Sequence, residues 1–248
     1  MGVANDHSIA WGIAKKLSEE GAELCFTYQG DSLLRRVRPL AESINNNFFI
    51  ECDVLKKESI ETTFKEINDK WDTIDFILHS IAFSDKEELK GKYIKTSRDN
   101  FIQTMLISCF SFTEIANEAQ KMMTNGGSML TLTYDGSQKF IPNYNVMGVA
   151  KAALESSVRY IAADLGELDI RVNALSAGPM KTLAMAGISG GKNMMKWSEK
   201  NSLMFRNISL DDVGKSGLYL LSDLSSGVTG EIHYVDCGYN KVGVPREI

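Results

Sequence analysis

Residues 2–28, GVANDHSIAWGIAKKLSEEGAELCFTY, decide the fold. A glycine turn opens a helical pattern over about 9–20, and an apolar strand over 23–28 follows it. The rest of the chain repeats this alternation: helices are predicted near 33–44, 58–71, 98–123, from Tyr144 onward and at 211–221, and strands at 48–52, 76–79, 128–133, 171–175 and 232–235. Repeated strand-helix-strand order predicts an α/β protein with a doubly wound parallel sheet and helices on both faces.

The composition limits the size of the fold and its partners. A chain of 248 residues with 44% apolar and 24% charged residues fits one domain over 1–248 better than two small ones. A net charge of -5 argues against nucleic acid as a general partner. No apolar run approaches the roughly 20 residues of a membrane-spanning helix, and no signal sequence is recognisable, so we expect a cytoplasmic protein with no membrane contact.

The cysteines and histidines predict no metal site. The four cysteines are scattered without a C-x-x-C pair, which favours reduced buried thiols, and the three histidines form no ligand cluster. The cysteines are Cys25, Cys52, Cys109 and Cys237, and the histidines are His7, His79 and His233.

The carboxyl ends of the predicted strands are the expected ligand-binding edge. The turn at 2–12 admits a pyrophosphate close to its glycines at a helix start, although an ordinary glycine turn is the alternative. Gln29 ends the next strand, where the side chain usually selects the cofactor, and glutamine is neutral in that choice. Asp53 ends the third strand, where it can accept from an adenine amino group or cap a helix. Ser80 ends the fourth.

The segment PNYNVMGVAK at 142–151 predicts the chemistry. Pro142 suits a first helical turn, so Tyr144 and Lys151 are expected on one helical face, about 10.5 Å apart. The phenol can donate a hydrogen bond to an oxygen that becomes negative, while the ammonium can hold a cofactor hydroxyl and favour the phenolate. Beside a nicotinamide, this pair indicates hydride transfer; an ordinary surface pair is the alternative.

Several motifs together resemble one family, the enoyl-acyl-carrier-protein reductases of type II fatty acid synthesis. This is a divergent branch of the short-chain dehydrogenase/reductase superfamily, which has a Rossmann-like fold, and the resemblance covers nearly the whole chain. In other members of the superfamily the tyrosine stands four residues before the lysine, where this chain has Met147. The matching segments are residues 2–12, 27–29, 53–54, 79–83, Tyr134, Tyr144 with Lys151, and 171–179.

The resemblance implies a mechanism. Hydride passes from NADH to the β-carbon of a trans-2-enoyl thioester, the enolate oxygen accepts a hydrogen bond from Tyr144, and protonation at the α-carbon completes the last step of the elongation cycle. Lys151 would hold the nicotinamide ribose. Tyr134 would line the acyl pocket as a catalytic and substrate-binding residue, its direct part in proton transfer being open, and Ser84 would lie near the substrate.

The resemblance also implies the cofactor site. Gln29, with no basic residue beside it, favours NADH over NADPH, while Arg35 and Arg36 leave NADPH open as the alternative to a solvated helix face. The implied cofactor-binding residues are Gly2, Ser8, Ile9, Gln29, Asp53, Val54, Ser80, Ile81, Lys151, Met180, Lys181, Thr182, Leu183 and Ala184.

Residues 180–207 are expected to form a substrate-binding lid. Glycines at 187, 190 and 191 provide hinges, and Met194, Met195 and Trp197 provide adaptable apolar surface. On a helix, Lys192, Lys196 and Lys200 would make a basic stripe that docks an acidic acyl carrier protein or is simply solvated.

Met1 stands immediately before Gly2, so the strand that should feed the glycine turn has no sequence and the first strand is expected to be truncated. Family members carry about a dozen residues there. Either the numbered chain omits N-terminal residues, or a start site was placed inside the strand. If nothing precedes Met1 in the polypeptide, we expect a weakened sheet centre and poor cofactor affinity.

Two alternative functions stay open at this stage. A carbonyl or 3-oxoacyl reductase is disfavoured by Met147, and a dinucleotide-sensing module without turnover is disfavoured by Tyr144 with Lys151. The family resemblance further implies a homotetramer built from outer helices and the last strand.

Overall fold

The computed structural model describes residues 1–245, in which parallel strands alternate with helices. The strands are β1 Phe26–Tyr28, β2 Phe49–Glu51, β3 Phe76–His79, β4 Gly127–Thr133, β5 Ile170–Ala177 and β6 Ile232–Val235; the helices are α1 Ile9–Glu19, α2 Gly30–Glu42, α3 Lys57–Asn68, α4 Arg98–Met105, α5 Ser111–Ala119, α6 Asn145–Leu165, α7 Leu183–Gly187, α8 Gly191–Asn201 and α9 Leu210–Leu221. Within residues 1–245, no helix is both long and apolar enough to cross a membrane.

The strands form two parallel sheets. One has the order β3-β4-β5-β6, and the other pairs β1 with β2. The α/β class with a parallel sheet is therefore confirmed, but the sheet is interrupted between β1 and β3.

The interruption lies where the strand preceding the glycine turn was expected. Only Met1 bridges it on the β3 side: its amino group donates to Leu78 O at 2.8 Å, and its carbonyl accepts from Ser80 N at 3.2 Å. A cavity of about 390 Å³ opens between β1 and β3 and is lined by apolar side chains such as Val3, Phe64 and Ile77.

Alternate side chains of the central strands pack into two cores on opposite faces of the sheet. Met129 of β4 and Val172 of β5 face the core beneath α3, α5 and α6, whereas Leu130 and Leu175 face the core beneath α1 and α9. Each large apolar side chain buried in this way contributes roughly 1.5–3 kcal/mol. The two cores hold the carboxyl ends of β3, β4 and β5 in fixed positions, and the candidate site lies at those ends.

Two helix predictions are wrong in detail. The helix expected over 98–123 is interrupted by a π-helical turn, Leu106–Phe110, which separates α4 from α5. The helix that carries Lys151 begins at Asn145 rather than at Pro142, because Asn143 and Asn145 have positive φ angles of 61° and 37°. Tyr144 is consequently the residue that caps this helix, not a member of its first turn.

Candidate active site

The glycine turn at residues 2–8 packs closely against Ser80 at the end of β3. Gly2 has φ +93°, and a Cβ at this position would lie 2.0 Å from Ser80 O, so no other residue fits. The Ser8 hydroxyl accepts from the backbone amides of Ala4 and Asn5 at 3.0 and 3.1 Å and makes no cap bond to α1. The first amides of α1, beginning at Ile9, are thus left without a side-chain cap, which suits an anion.

Gln29 and Asp53 follow the two paired strands β1 and β2. Gln29 is exposed and precedes α2. Asp53 accepts from Leu55 N at 3.1 Å, but α3 begins after Lys56, so the carboxylate stabilises the turn and does not cap the helix itself. Val54 is buried in the core behind Asp53.

The segment after β3 carries Ser80, Ile81 and Ser84. Ser80 and Ile81 are half-buried at the strand end, beside Gly2. Ser84 is buried; its hydroxyl donates to Asn100 Oδ1 at 3.3 Å and accepts from Thr104 Oγ1 at 3.0 Å. Its hydroxyl is therefore engaged with α4, and Ser84 helps to fix the wall of the site.

Tyr134 and Tyr144 meet at the end of β4. Their ring centroids are 5.3 Å apart in an edge-to-face arrangement, and the two residues are 9% and 7% exposed. Burial raises the pKa of each phenol above its usual value, and the charge of Glu155 adds to the shift at Tyr144. Both tyrosines are consequently protonated donors at neutral pH. The expectation that Lys151 favours the Tyr144 phenolate is not met, because burial dominates.

The Tyr134 hydroxyl is buried and faces the phenol of Tyr239. Within residues 1–245 it makes no hydrogen bond of ordinary geometry, but the Tyr239 phenol lies close enough to interact with it and to add to the raised pKa of Tyr134. A buried hydroxyl of this kind is suited to a bound molecule or water.

Lys151 extends from α6 to the same strand end. It is 6% exposed, and its Nζ donates to Leu132 O at 2.8 Å. Burial lowers the pKa of Lys151 to about 8, while Cys109 and Glu155 act in the opposite direction. The side chain is therefore still mostly cationic at pH 7.

Two further residues at the site are not selected by the sequence analysis. Glu155 of α6 is buried and accepts three side-chain hydrogen bonds. Glu155 stands four residues after Lys151 on the same helix. This spacing places the carboxylate next to the lysine, and it is the sequence signal by which Glu155 could have been found. Tyr239 packs edge-to-face on Trp197 with centroids 5.3 Å apart, a contact that depends on tertiary structure.

The segment 180–207 lies over this edge and is mostly exposed. Met180 is buried and Lys181 is exposed. Thr182 accepts from Met185 N at 3.1 Å and so caps α7, which has no buried residue; Leu183 and Ala184 are exposed. Lys192, Lys196 and Lys200 are exposed on α8, as the predicted basic stripe requires.

The structure thus brings Gly2, Ser80, Tyr134, Tyr144 and Lys151 to one region at the carboxyl edge of the sheet. Gln29 and Asp53 lie at the ends of the separate β1–β2 pair. A glycine turn at an uncapped helix start, together with buried tyrosine and lysine beside it, defines a nicotinamide-dependent oxidoreductase of the Rossmann type.

Comparison with known proteins identifies the branch. The family described as Enoyl-(Acyl carrier protein) reductase matches residues 2–240. Enoyl-[acyl-carrier-protein] reductase [NADH] 2 of Rhizobium meliloti is 61% identical over 99% of this chain and 91% of the relative. The chain belongs to the enoyl-acyl-carrier-protein reductase family, as the sequence motifs suggested.

Solved structures agree with the fold. FabI from Candidatus Liberibacter asiaticus superposes with a TM-score of 0.97 at 59% identity, covering 99% of this chain and 95% of that one. The reductase of Anaplasma phagocytophilum in complex with NAD superposes with a TM-score of 0.94 at 52% identity. The match covers 99% of this chain and 92% of that one. The Rossmann-like fold expected from the resemblance is therefore confirmed.

Proposed function

We propose that the protein reduces the trans-2 double bond of enoyl-acyl-carrier-protein thioesters with NADH, in the last step of the fatty acid elongation cycle. The observation that carries this proposal is the pair of a protonated, buried Tyr144 and a cationic Lys151 at the end of β4. The names of the relatives, NADH-dependent enoyl reductases at 54–61% identity, confirm the expected reaction class and cofactor.

The residues present fit a dinucleotide. Gly2 allows the turn to pack directly against Ser80 O at the end of β3, and the uncapped start of α1 beside it offers amides to a pyrophosphate. Gln29 and Asp53 would hold the adenosine end, and Lys151 the nicotinamide ribose. When bound, NADH supplies the hydride.

Each catalytic side chain then has a distinct role. Tyr144 donates its hydroxyl hydrogen bond to the thioester oxygen, which becomes an enolate oxygen as the β-carbon is reduced. The raised pKa of Tyr144 keeps this donor protonated while negative charge develops. Lys151, whose Nζ is held by Leu132 O at the end of β4, would supply a positive charge beside the site, and the Tyr134 hydroxyl would line the acyl pocket.

Residues 180–207 would close over the acyl chain as a lid on one domain spanning 1–248. Apolar side chains of this segment, such as Leu183 and Trp197, are exposed and offer apolar surface to an acyl group. The carrier protein would deliver the thioester at this edge, next to the basic stripe of α8.

Assembly and location complete the proposal. The exposed apolar side chains Ile102, Leu106 and Phe110 follow one another along α4 and the π-helical turn, and such a surface favours self-association into a homotetramer. All four cysteines are free thiols, which fits the reducing cytoplasm.

The experiment compares Tyr144→Phe with Tyr134→Phe in NADH oxidation by an enoyl thioester. Loss of the Tyr144 donor is expected to lower kcat by about 10²-fold or more while the Kd for NADH stays within a factor of two, because only the transition state loses a hydrogen bond. Tyr134→Phe is expected to affect mainly the KM of the thioester. Unchanged turnover in Tyr144→Phe would remove Tyr144 from the catalytic role.

A further inference from the structure

Glu155 is a buried carboxylate without an assigned role. It is 4% exposed and stands one helical turn after Lys151 on α6. Three neutral side chains donate to it: Thr133 Oγ1 at 2.7 Å, Ser137 Oγ at 2.5 Å and Gln138 Nε2 at 3.2 Å. Burying a carboxylate is costly unless its oxygens are hydrogen-bonded, and these donors meet that requirement.

The three donors come from the catalytic turn, which we define as residues 133–138. Thr133 ends β4, Tyr134 follows it, and Ser137 closes the next turn of chain. One carboxylate therefore ties the backbone that carries Tyr134 to the helix that carries Lys151. Fixing a reacting group to within a fraction of an ångström requires such supporting contacts.

The carboxylate is also the negative charge beside the catalytic groups. Glu155 raises the pKa of Lys151 against the lowering effect of burial, and it adds to the raised pKa of Tyr144. The carboxylate thus favours the protonated forms of both side chains, in addition to the effect of burial at Tyr144 and of Cys109 at Lys151.

We propose that Glu155 is a positioning residue of the reductase, which clamps the catalytic turn that carries Tyr134 against the helix α6 that carries Lys151. This inference rests on the proposed roles of Tyr144 and Lys151. Glu155 acts through those residues and through Tyr134, so it does not touch the substrate.

Other ionisable groups face the same region and are unchanged in the test. Cys109 of the π-helical turn and His79 of β3 interact electrostatically with Lys151. Asp135 of the catalytic turn and Tyr234 of β6 interact with Glu155. These four groups are the same in the wild-type protein and in the variants. A difference in pH dependence between the wild type and a Glu155 variant therefore reports on Glu155.

The test separates the charge from the clamp with two variants. Glu155→Gln keeps the length of the side chain and removes the charge, whereas Glu155→Asp keeps the charge and is one methylene too short for the three donors. NADH affinity and the kcat and KM of an enoyl thioester are measured between pH 6 and pH 9.5. Glu118→Gln on α5, a carboxylate that pairs with Lys121, is the matched control.

Wild-type NADH affinity is expected to fall as the pH rises through about 8, where Lys151 loses its proton. In Glu155→Gln this loss is expected about one pH unit lower, because a nearby negative charge no longer stabilises the ammonium. In Glu155→Asp the loss of NADH affinity is expected at the wild-type pH. The kcat of this variant is expected to be about tenfold lower, because Tyr134 is less firmly held. Ser137→Ala removes one of the three donors and leaves the charge of Glu155, so it is expected to resemble Glu155→Asp. It replaces a Glu155 variant in the test if that variant does not fold.

The inference is overturned if the variants keep the wild-type pH dependence and kcat and show only a lower Tm, since Glu155 would then be purely structural. Failure of the proposed function is a different result. If Lys151→Met leaves NADH affinity and its pH dependence as in the wild type, the assigned role of Lys151 is wrong, whatever Glu155 does.

Discussion

The catalytic wall and the lid of this protein are built in opposite ways. The catalytic wall, residues 127–165, combines β4, the catalytic turn and α6, and its key side chains are buried and held by hydrogen bonds. The lid, residues 180–207, is short helices with exposed apolar side chains, and α7 has no buried residue. The contrast is what the proposed function requires: the groups proposed to react are fixed in advance, while the segment proposed to admit the acyl chain is weakly held.

The largest effect is expected from a change in the wall. Lys151→Met keeps an unbranched apolar stem of similar length and removes the ammonium, so it should lower kcat/KM by about 10²–10³-fold and weaken NADH binding by at least about tenfold. Stopped-flow NADH oxidation and fluorescence titration measure the two quantities. Lys121→Met, at an exposed residue of the segment after α5, should leave both unchanged. If Lys151→Met keeps kcat/KM and NADH affinity near the wild-type values, Lys151 does not have the proposed role in the catalytic wall.

The sheet that supports the catalytic wall should respond to acid through His79, the last residue of β3. Burial, and then the charge of Lys151, lower the pKa of this histidine to about 3, and its ring nitrogens lie 3.1 Å from Thr131 Oγ1 and 2.9 Å from Ser111 Oγ. Between about pH 6.5 and that value the unfolded chain binds a proton that the folded protein does not. Stability should therefore fall with decreasing pH, by about 1.4 kcal/mol per unit from this group, and the contribution is fully present above pH 6.5.

Urea unfolding at pH 7 and pH 5 measures this effect. The wild type should lose about 2 kcal/mol more than His79→Gln over that interval, whereas the exposed His7→Gln should behave like the wild type. Equal losses in the wild type and His79→Gln would show that His79 does not contribute.

The lid should respond to ligands instead. Cleavage by trypsin within 181–206 is expected to slow by about tenfold when NADH and an unreactive substrate analogue are both present, because closure protects the exposed lysines of α8. Cleavage at Lys57 and Lys65 of α3 provides the internal control. If lid cleavage proceeds at the same rate with and without ligands, the segment does not close.

The smallest effect is expected at the outer surface of the lid. Charge reversal of Lys192, Lys196 and Lys200 to Glu should lower kcat/KM by about three- to tenfold for a carrier-bound enoyl substrate and leave a small enoyl thioester unaffected. Reversal of three exposed lysines outside the lid and the proposed cofactor site, at 57, 65 and 121, is the matched control. Equal activity on both substrates would identify the basic stripe as a solvated face.

The sequence predicted the sheet better than the lid because short apolar strands build the sheet. β3 and β6 have the predicted bounds, since each is a short apolar run between breaking residues. The start of α6 was missed because Asn143 and Asn145 adopt left-handed backbone, which a helical pattern does not reveal. Glu155 was missed because a carboxylate on a helix usually faces solvent, and only the contacts with the catalytic turn explain its burial.

The lid required tertiary information. Its glycines and methionines indicated an adaptable segment, but the packing of Trp197 on Tyr239 depends on residues far apart in the chain.

The most direct test of the account is NADH oxidation by the purified protein with crotonyl thioester, beside acetoacetyl thioester and a matched NADPH series. We expect turnover of the enoyl thioester alone and a higher kcat/KM with NADH than with NADPH. Turnover of the ketone instead, or NADH binding without turnover of either thioester, would contradict the assignment of Tyr144 as the donor to an enolate oxygen.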